Sequence, residues 1–256
     1  MTPAPVTPAP VPAVALEIAV TAPAGARVAR DAGADRVELC VGLELGGLTP
    51  SQALVEATHE VGIPAHALVR CRPGGFTYDA DELALMEREV RTVLRSGAAG
   101  VVVGALRPDG SLDEDALRRF VDAARTVSAH AEVTLHRAVD HAADPVAAVG
   151  RLADLGVTRV LTSGAAASAP AGAATIARMV DAAGRVQVMA GAGVRPQDVA
   201  TLVATGVAAV HLSAKRTVGG AGHRGVPMGS GDDGAGHTVT DAAVVAAARA
   251  ALDAAA

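Results

Sequence analysis

Eight short runs of valine, leucine and other apolar residues recur along this chain, each followed by a longer alanine-rich stretch of helical period. That alternation limits the fold more than any single motif. The runs are "VALEIAV" (14 to 20), "RVELC" (36 to 40), "AHALVR" (65 to 70), "GVVVG" (100 to 104), "EVTLHR" (132 to 137), "RVLTS" (159 to 163), "VQVMAG" (186 to 191) and "AVHLSA" (209 to 214). Between them the period predicts helices near 23 to 33, 50 to 61, 79 to 96, 113 to 128, 144 to 155, 171 to 183, 196 to 205 and 239 to 255. Several close on Gly33, Gly62, Gly97, Gly156 or Gly206, the residue type that most easily takes the left-handed turn at a helix C-terminus. Short strands alternating with helices make parallel βαβ units, and eight consecutive units predict a single-domain α/β fold, a (β/α)8 TIM barrel over residues 13 to 256. An open doubly wound sheet would be expected to carry Gly-x-Gly-x-x-Gly after its first strand, and none stands there.

Composition narrows the partners. Half of the residues are hydrophobic and 1% aromatic, so the core must be closely packed Ala, Val and Leu. The net charge of -5 and the lack of a basic cluster argue against nucleic acid or an anionic membrane surface, both of which need clustered Lys and Arg. No run approaches the roughly 20 apolar residues that span a bilayer. A small anionic molecule is the expected partner. The single lysine, Lys215, makes Schiff-base chemistry a poor fit. Two cysteines, Cys40 and Cys71, cannot build a disulfide framework and suit a reducing cytoplasm. Residues 1 to 12, "MTPAPVTPAPVP", lack the charged and apolar regions of a secretory signal and are expected to form a disordered Pro/Ala-rich tail. The Gly-rich stretch 215 to 238 is expected to be a flexible loop or lid, with His223 and His237 as solvated loop residues.

In a barrel of this type the functional groups gather at the C-terminal ends of the strands. Period two turns Glu17, Glu38, Thr134, His136, His211 and Ser213 toward the barrel axis. A buried carboxylate needs a partner, and Arg70, Arg72 and Arg137 are the cations expected to supply it. A purely architectural Glu-Arg network is the competing explanation for these residues. As chemistry, Glu38 or Glu17 would act as base, with His211 beside them. His136 would act as acid or electrophile, and Arg137, Arg70 and Arg72 as charge clamps. Thr162 and Ser163 follow strand six. Gly191 and Gly193, in "MAGAGVRPQD", would offer backbone N–H groups to an anion beside Ser213 and Lys215, since the last loops of such barrels often hold phosphate.

"LEI" at 16 to 18, "GADRVELC" at 33 to 40, "GGLTPS" at 46 to 51, "TLHRAVD" at 134 to 140, "RVLTSG" at 159 to 164, "VMAGAGVR" at 188 to 195 and "VTDAA" at 239 to 243 together resemble the CutC family, called copper homeostasis proteins. The resemblance implies a TIM barrel, a cytoplasmic location, homo-oligomeric assembly with a dimer expected, and copper binding. In the family the copper ligands proposed are cysteines ending the first two strands; the second falls on Cys40 and the first on Ala19. After strand three the family reads Arg-Pro-Arg-x-Gly-Asp-Phe, and this chain reads "RCRPGGF", keeping Arg70, Arg72 and Phe76 with Gly75 in the acidic position. Two functions therefore stand side by side. One is Cu(I) binding through Cys40. The other is an isomerase, lyase or hydrolase that requires no cofactor and works on a small anionic or phosphorylated molecule by Glu/His acid-base chemistry. A sensor that binds the anion without turnover is a third.

Overall fold

A computed structural model of the chain describes residues 14–219 and 236–255; the expected tail and the middle of the Gly-rich stretch, with His223, lie outside the described residues. Eight parallel strands close into one barrel in sequence order. They are β1 (Ala15–Val20), β2 (Arg36–Leu39), β3 (Ala65–Leu68), β4 (Gly100–Val103), β5 (Glu132–Leu135), β6 (Arg159–Thr162), β7 (Gln187–Gly191) and β8 (Ala209–Leu212). The helices around them are α1 (Pro23–Asp31), α2 (Gln52–His59), α3 (Ala80–Arg95), α4 (Glu114–Val127), α5 (Pro145–Arg151), α6 (Ala173–Ala182), α7 (Val199–Val203) and α8 (Ala242–Ala255). All eight predicted units are present.

Local chemistry starts and stops the helices. Asp79 and Glu82 form a reciprocal capping box at the head of α3, and Asp113 caps α4 through Ala116 N–H. Alternation along each strand then divides its side chains. Leu16, Ile18, Val37, Leu39, Val101, Val103, Val133 and Leu135 face outward and merge with Met86, Leu117, Phe120, Leu152, Ile176 and Leu202 of the helices into the main core. The opposite parity fills the barrel axis, where two small apolar clusters form, Cys40 with Leu68 and Val102, and Leu161 with Met189 and Ala209.

Two features differ from expectation. The predicted loop 215 to 238 begins and ends in structure: β9 (Lys215–Val218) pairs antiparallel with β10 (His237–Thr240), Thr240 opposite Lys215. The last helix consequently starts at Ala242 and not at 239. Backbone strain gathers on one face as well. The described residues outside glycine with positive φ are Ala165 (57°), Ala192 (89°) and Ala214 (38°), which follow the exits of β6, β7 and β8. Left-handed backbone at a residue with a Cβ persists only where its surroundings hold it, and such positions cluster at functional sites.

Candidate functional site

A ladder of charges runs along the barrel axis, and its lower part is a closed network. Glu17, in the middle of β1, is in register with Arg36 on one side and His211 on the other. Arg36 Nε donates to Glu17 Oε2 at 2.5 Å, and its Nη2 reaches the Met189 sulfur at 3.3 Å. Arg159, at the start of β6, donates to Glu132 (2.8 Å), to Gln187 (2.8 Å) and to Thr134 (3.3 Å). His66 lies between, with Nε2 3.2 Å from Glu132 and Nδ1 3.4 Å from Arg159. Burial and the cations Arg159 and Arg36 pull His66 down to about 4, against the pull of Glu17 and Glu132, so it is neutral near pH 7. The cations expected to neutralise the inward glutamates, Arg70, Arg72 and Arg137, are not the ones that do so. Arg36 pairs with Glu17 because strand stagger places the first residue of β2 beside the third residue of β1.

Above this network the axis opens into a cavity of about 290 Å³, lined by Glu38, Arg70, Phe76, His136, Arg137, Gly193, His211 and Ser213 among others. His211 Nδ1 donates to Glu17 Oε1 at 2.8 Å, and its Nε2 stands 3.8 Å from Glu38 Oε2. Burial disfavours charge on His211, yet the hydrogen bond to Glu17 and the charges of Glu38 and Glu17 outweigh it and raise its pKa. Glu17 moves the opposite way: despite burial, His211, Arg36 and His66 hold its carboxyl well below the usual carboxylate range. Glu38 keeps no cation as close as Arg36 is to Glu17. Burial, with the negative charge of Glu17, pushes it up to about 7 in spite of His211. One carboxylate is thus fixed in its ionised form, while the other can change state near neutral pH.

His136, just past β5, behaves differently. Its Nδ1 accepts the Ala138 N–H at 3.1 Å, which leaves the proton on Nε2, and Nε2 is buried with no hydrogen-bond partner. Burial, then the charge of Arg70, brings its pKa down to about 3, so the ring is a neutral donor at any ordinary pH. Phe76 packs on it with ring centroids 4.9 Å apart.

The arginines divide. Arg70 binds three loop carbonyls, Leu45 (3.0 Å), Gly47 (3.0 Å) and Gly74 (2.8 Å), and so pins the loops after β2 and β3, while among the described residues no carboxylate pairs with it. Arg137 lies at the rim, 40% exposed, with Nε on Asp140 and Nη2 on Ser163 Oγ. Arg72, expected as a third clamp, is turned away from the cavity: Glu82, the Thr77 carbonyl and the Tyr78 ring hold it, and it braces the loop that carries Phe76. Thr162 and Ser163 are likewise engaged elsewhere. With Ala165 N–H and Arg137 they surround Asp140, whose carboxylate accepts from Thr162 Oγ1 at 2.5 Å and from Ser163 N at 2.9 Å.

Gly193 and Ser213 line the cavity, whereas Gly191 sits against it as spacing, since a Cβ there would come within 2.5 Å of Leu161 and 3.1 Å of the His211 Cβ. Lys215 is exposed on β9, outside the cavity lining. Sequence reasoning passed over Arg36, His66, Arg159 and Asp140. The first three share the inward parity of Glu38 or Thr134 and were open to the same alternation; Asp140 carried no such signal, being in a turn.

The donors for copper do not assemble here. Cys40 is buried, and burial with the charges of Glu38 and Glu44 pushes its thiol well above its ordinary pKa, away from the thiolate that binds metal. Ala19, where the family's first cysteine would fall, lies opposite Glu38 in the register and offers no ligand atom. Among the described residues, no group of three or more His, Cys, Asp or Glu stands close enough to hold a metal ion. No described helix is long and apolar enough to cross a membrane.

Comparison with known proteins gives a consistent pattern. The model of the CutC family matches residues 14–216. A family protein CutC from Xanthomonas campestris pv. campestris (strain 8004) is 46% identical over 206 residues, 79% of this chain and 84% of that protein. One from Vibrio cholerae serotype O1 (strain ATCC 39541) is 44% identical over 188 residues, 72% of this chain and 73% of that protein. A crystal structure of CutC from Streptococcus agalactiae, which bears a copper-homeostasis name, superposes with a TM-score of 0.71 at 26% identity, over 78% of this chain and 98% of that one.

Proposed function

The chain belongs to the CutC family, and from that premise we propose that it is an enzyme that moves protons on a small anionic molecule without a metal. The observation that carries this reading is Glu38. It lines an open cavity, is held near pKa 7, and stands 3.8 Å from an imidazole that is itself anchored on Glu17 at 2.8 Å. A group that must take a proton and give it back works best with a pKa near the working pH, and such positioned groups contribute about 10²–10⁴ in rate. Arg70 and Arg137 give the same cavity the positive charge that retains an anion. Its volume suits a ligand at the small end of the range for binding pockets.

The test is thermal stabilisation of the full chain by small carboxylates and phosphates, measured with a chelator present. Stabilisation by at least one such anion, weakened in Arg137→Ala, supports the reading. No stabilisation by any of them would sink it.

Copper binding is the second reading, favoured by the name the Streptococcus agalactiae relative carries. In this chain it would rest on Cys40. Titration with Cu(I) against a competing chelator decides it: an affinity that drops on Cys40→Ala supports copper, and one indistinguishable from that of ordinary protein thiols removes it.

A further inference from the structure

The cavity carries two kinds of proton chemistry on facing walls. In a closed barrel of eight strands in sequence order, β5 lies across the axis from β1. His136 follows β5, while Glu38 and His211 come from β2 and β8, the two strands that flank β1. A molecule in the cavity therefore has a proton acceptor on one side and a hydrogen-bond donor on the other.

The donor side is built for one purpose. His136 Nδ1 is occupied by a backbone N–H, so Nε2 carries the proton, and that nitrogen has no partner among the described residues. A buried donor left without a partner destabilises the fold. Such a cost is sustained where a ligand completes the bond. Gly104, at the exit of β4, is what lets the ring sit there, because a Cβ on it would overlap the imidazole. A neutral imidazole donor of this kind suits an oxygen on which negative charge collects during a reaction, since it stabilises the charge without first being deprotonated by it.

We infer that the cavity enolises a carbonyl compound that carries an anionic group, with Glu38 taking the proton from the carbon next to the carbonyl and His136 Nε2–H bonding to the carbonyl oxygen. The inference rests on the acid-base reading above and names its substrate class. The C–H bond breaks and its proton goes to a Glu38 carboxylate oxygen. The electron pair forms the new C=C bond, the C=O π pair moves onto oxygen, and that oxygen accepts the His136 hydrogen bond. Glu38 then returns the proton to the same carbon and the electron pair on oxygen re-forms the C=O bond, which balances the cycle with no outside reactant. His211, fixed on Glu17, stands beside Glu38 and supports its carboxylate. Arg137, exposed at the rim, and the buried Arg70, both lining the cavity, hold the anionic group, carboxylate or phosphate.

The experiment uses the full chain in D₂O with a chelator, and two probes: pyruvate for the carboxylate arm and dihydroxyacetone phosphate for the phosphate arm. Binding is followed by saturation-transfer NMR and reaction by deuterium entering the carbon next to the carbonyl. The expected result is binding and deuterium incorporation for at least one probe. Incorporation should fall at least 100-fold in Glu38→Gln and in His136→Ala, with probe binding retained. A probe that binds without exchanging its protons in the wild-type protein overturns enolisation and leaves the anion-binding reading standing. Failure of both probes to bind overturns both. Exchange that persists in Glu38→Gln removes Glu38 from the role.

Discussion

The two ends of the barrel are made from the same residue types in different states of satisfaction. At the floor, Arg36, Glu17, His66, Glu132, Arg159 and Gln187 use their donors and acceptors on one another at 2.5–3.4 Å. At the mouth, Glu38 stays 3.8 Å from its nearest imidazole nitrogen, and His136 Nε2 has no partner. Buried charges that are fully paired keep the axis filled; buried groups left open are available to a ligand. What separates architecture from chemistry in this molecule is how completely a group is answered by the protein, more than what the group is.

The sharpest break of that contrast is Arg36→Ala. It strips a fully buried carboxylate of its guanidinium and leaves only His211 hydrogen-bonded to it among the described residues, and removing one partner of a buried pair costs about 3–5 kcal/mol, measured by urea unfolding. Glu38→Gln should do the reverse. The raised pKa of Glu38 means the native state holds this proton more firmly than the unfolded chain, so wild type loses stability as pH rises from 4.5 to about 7. Above pH 7 the Gln variant should therefore be more stable than wild type by about 3 kcal/mol, a gain that vanishes below pH 4.5.

A third test separates the acid side. His136 and His66 are depressed to about 3 and about 4, so the unfolded chain protonates them first. Their contribution is whole above pH 6.5 and is lost as pH falls through those folded values; Glu17 adds a further loss below pH 4.5. In His136→Gln, the slope of stability against pH between 6.5 and 3 should flatten, and that change is read from unfolding midpoints across the pH series. Cys40→Ala is the smallest perturbation, about 1 kcal/mol in unfolding and no change in probe exchange, because the thiol sits apart from the cavity lining.

Much of the fold was legible because its signal is local. Strand runs of four to six residues and glycine-closed helices stand in the sequence one after another, and all eight units appear where period and punctuation put them. Parity also turned Glu17, Glu38 and His211 inward correctly. The pairing was out of reach, because it depends on stagger between strands: only the register shows that Arg36 meets Glu17 and that Arg70 meets loop carbonyls. Glu17 consequently sits at mid-barrel and not at the mouth. The β9–β10 ribbon escaped notice since glycine-rich sequence around it reads as loop, while Asp140 gathers its donors from two separate loops that no spacing rule connects.

The absence of a side chain at Gly104 and Gly191 has its own meaning. Gly104 follows β4 and Gly191 ends β7, and each leaves a space that a histidine or its neighbour fills, His136 against Gly104 and His211 with Leu161 against Gly191. Both imidazoles are thereby seated against the barrel wall, with Phe76 from the loop after β3 packed on His136. Under the function proposed above, reaction and recognition would fall to separate parts of the chain. Relatives could exchange their loops to accept a different molecule and still present it to the same two rings.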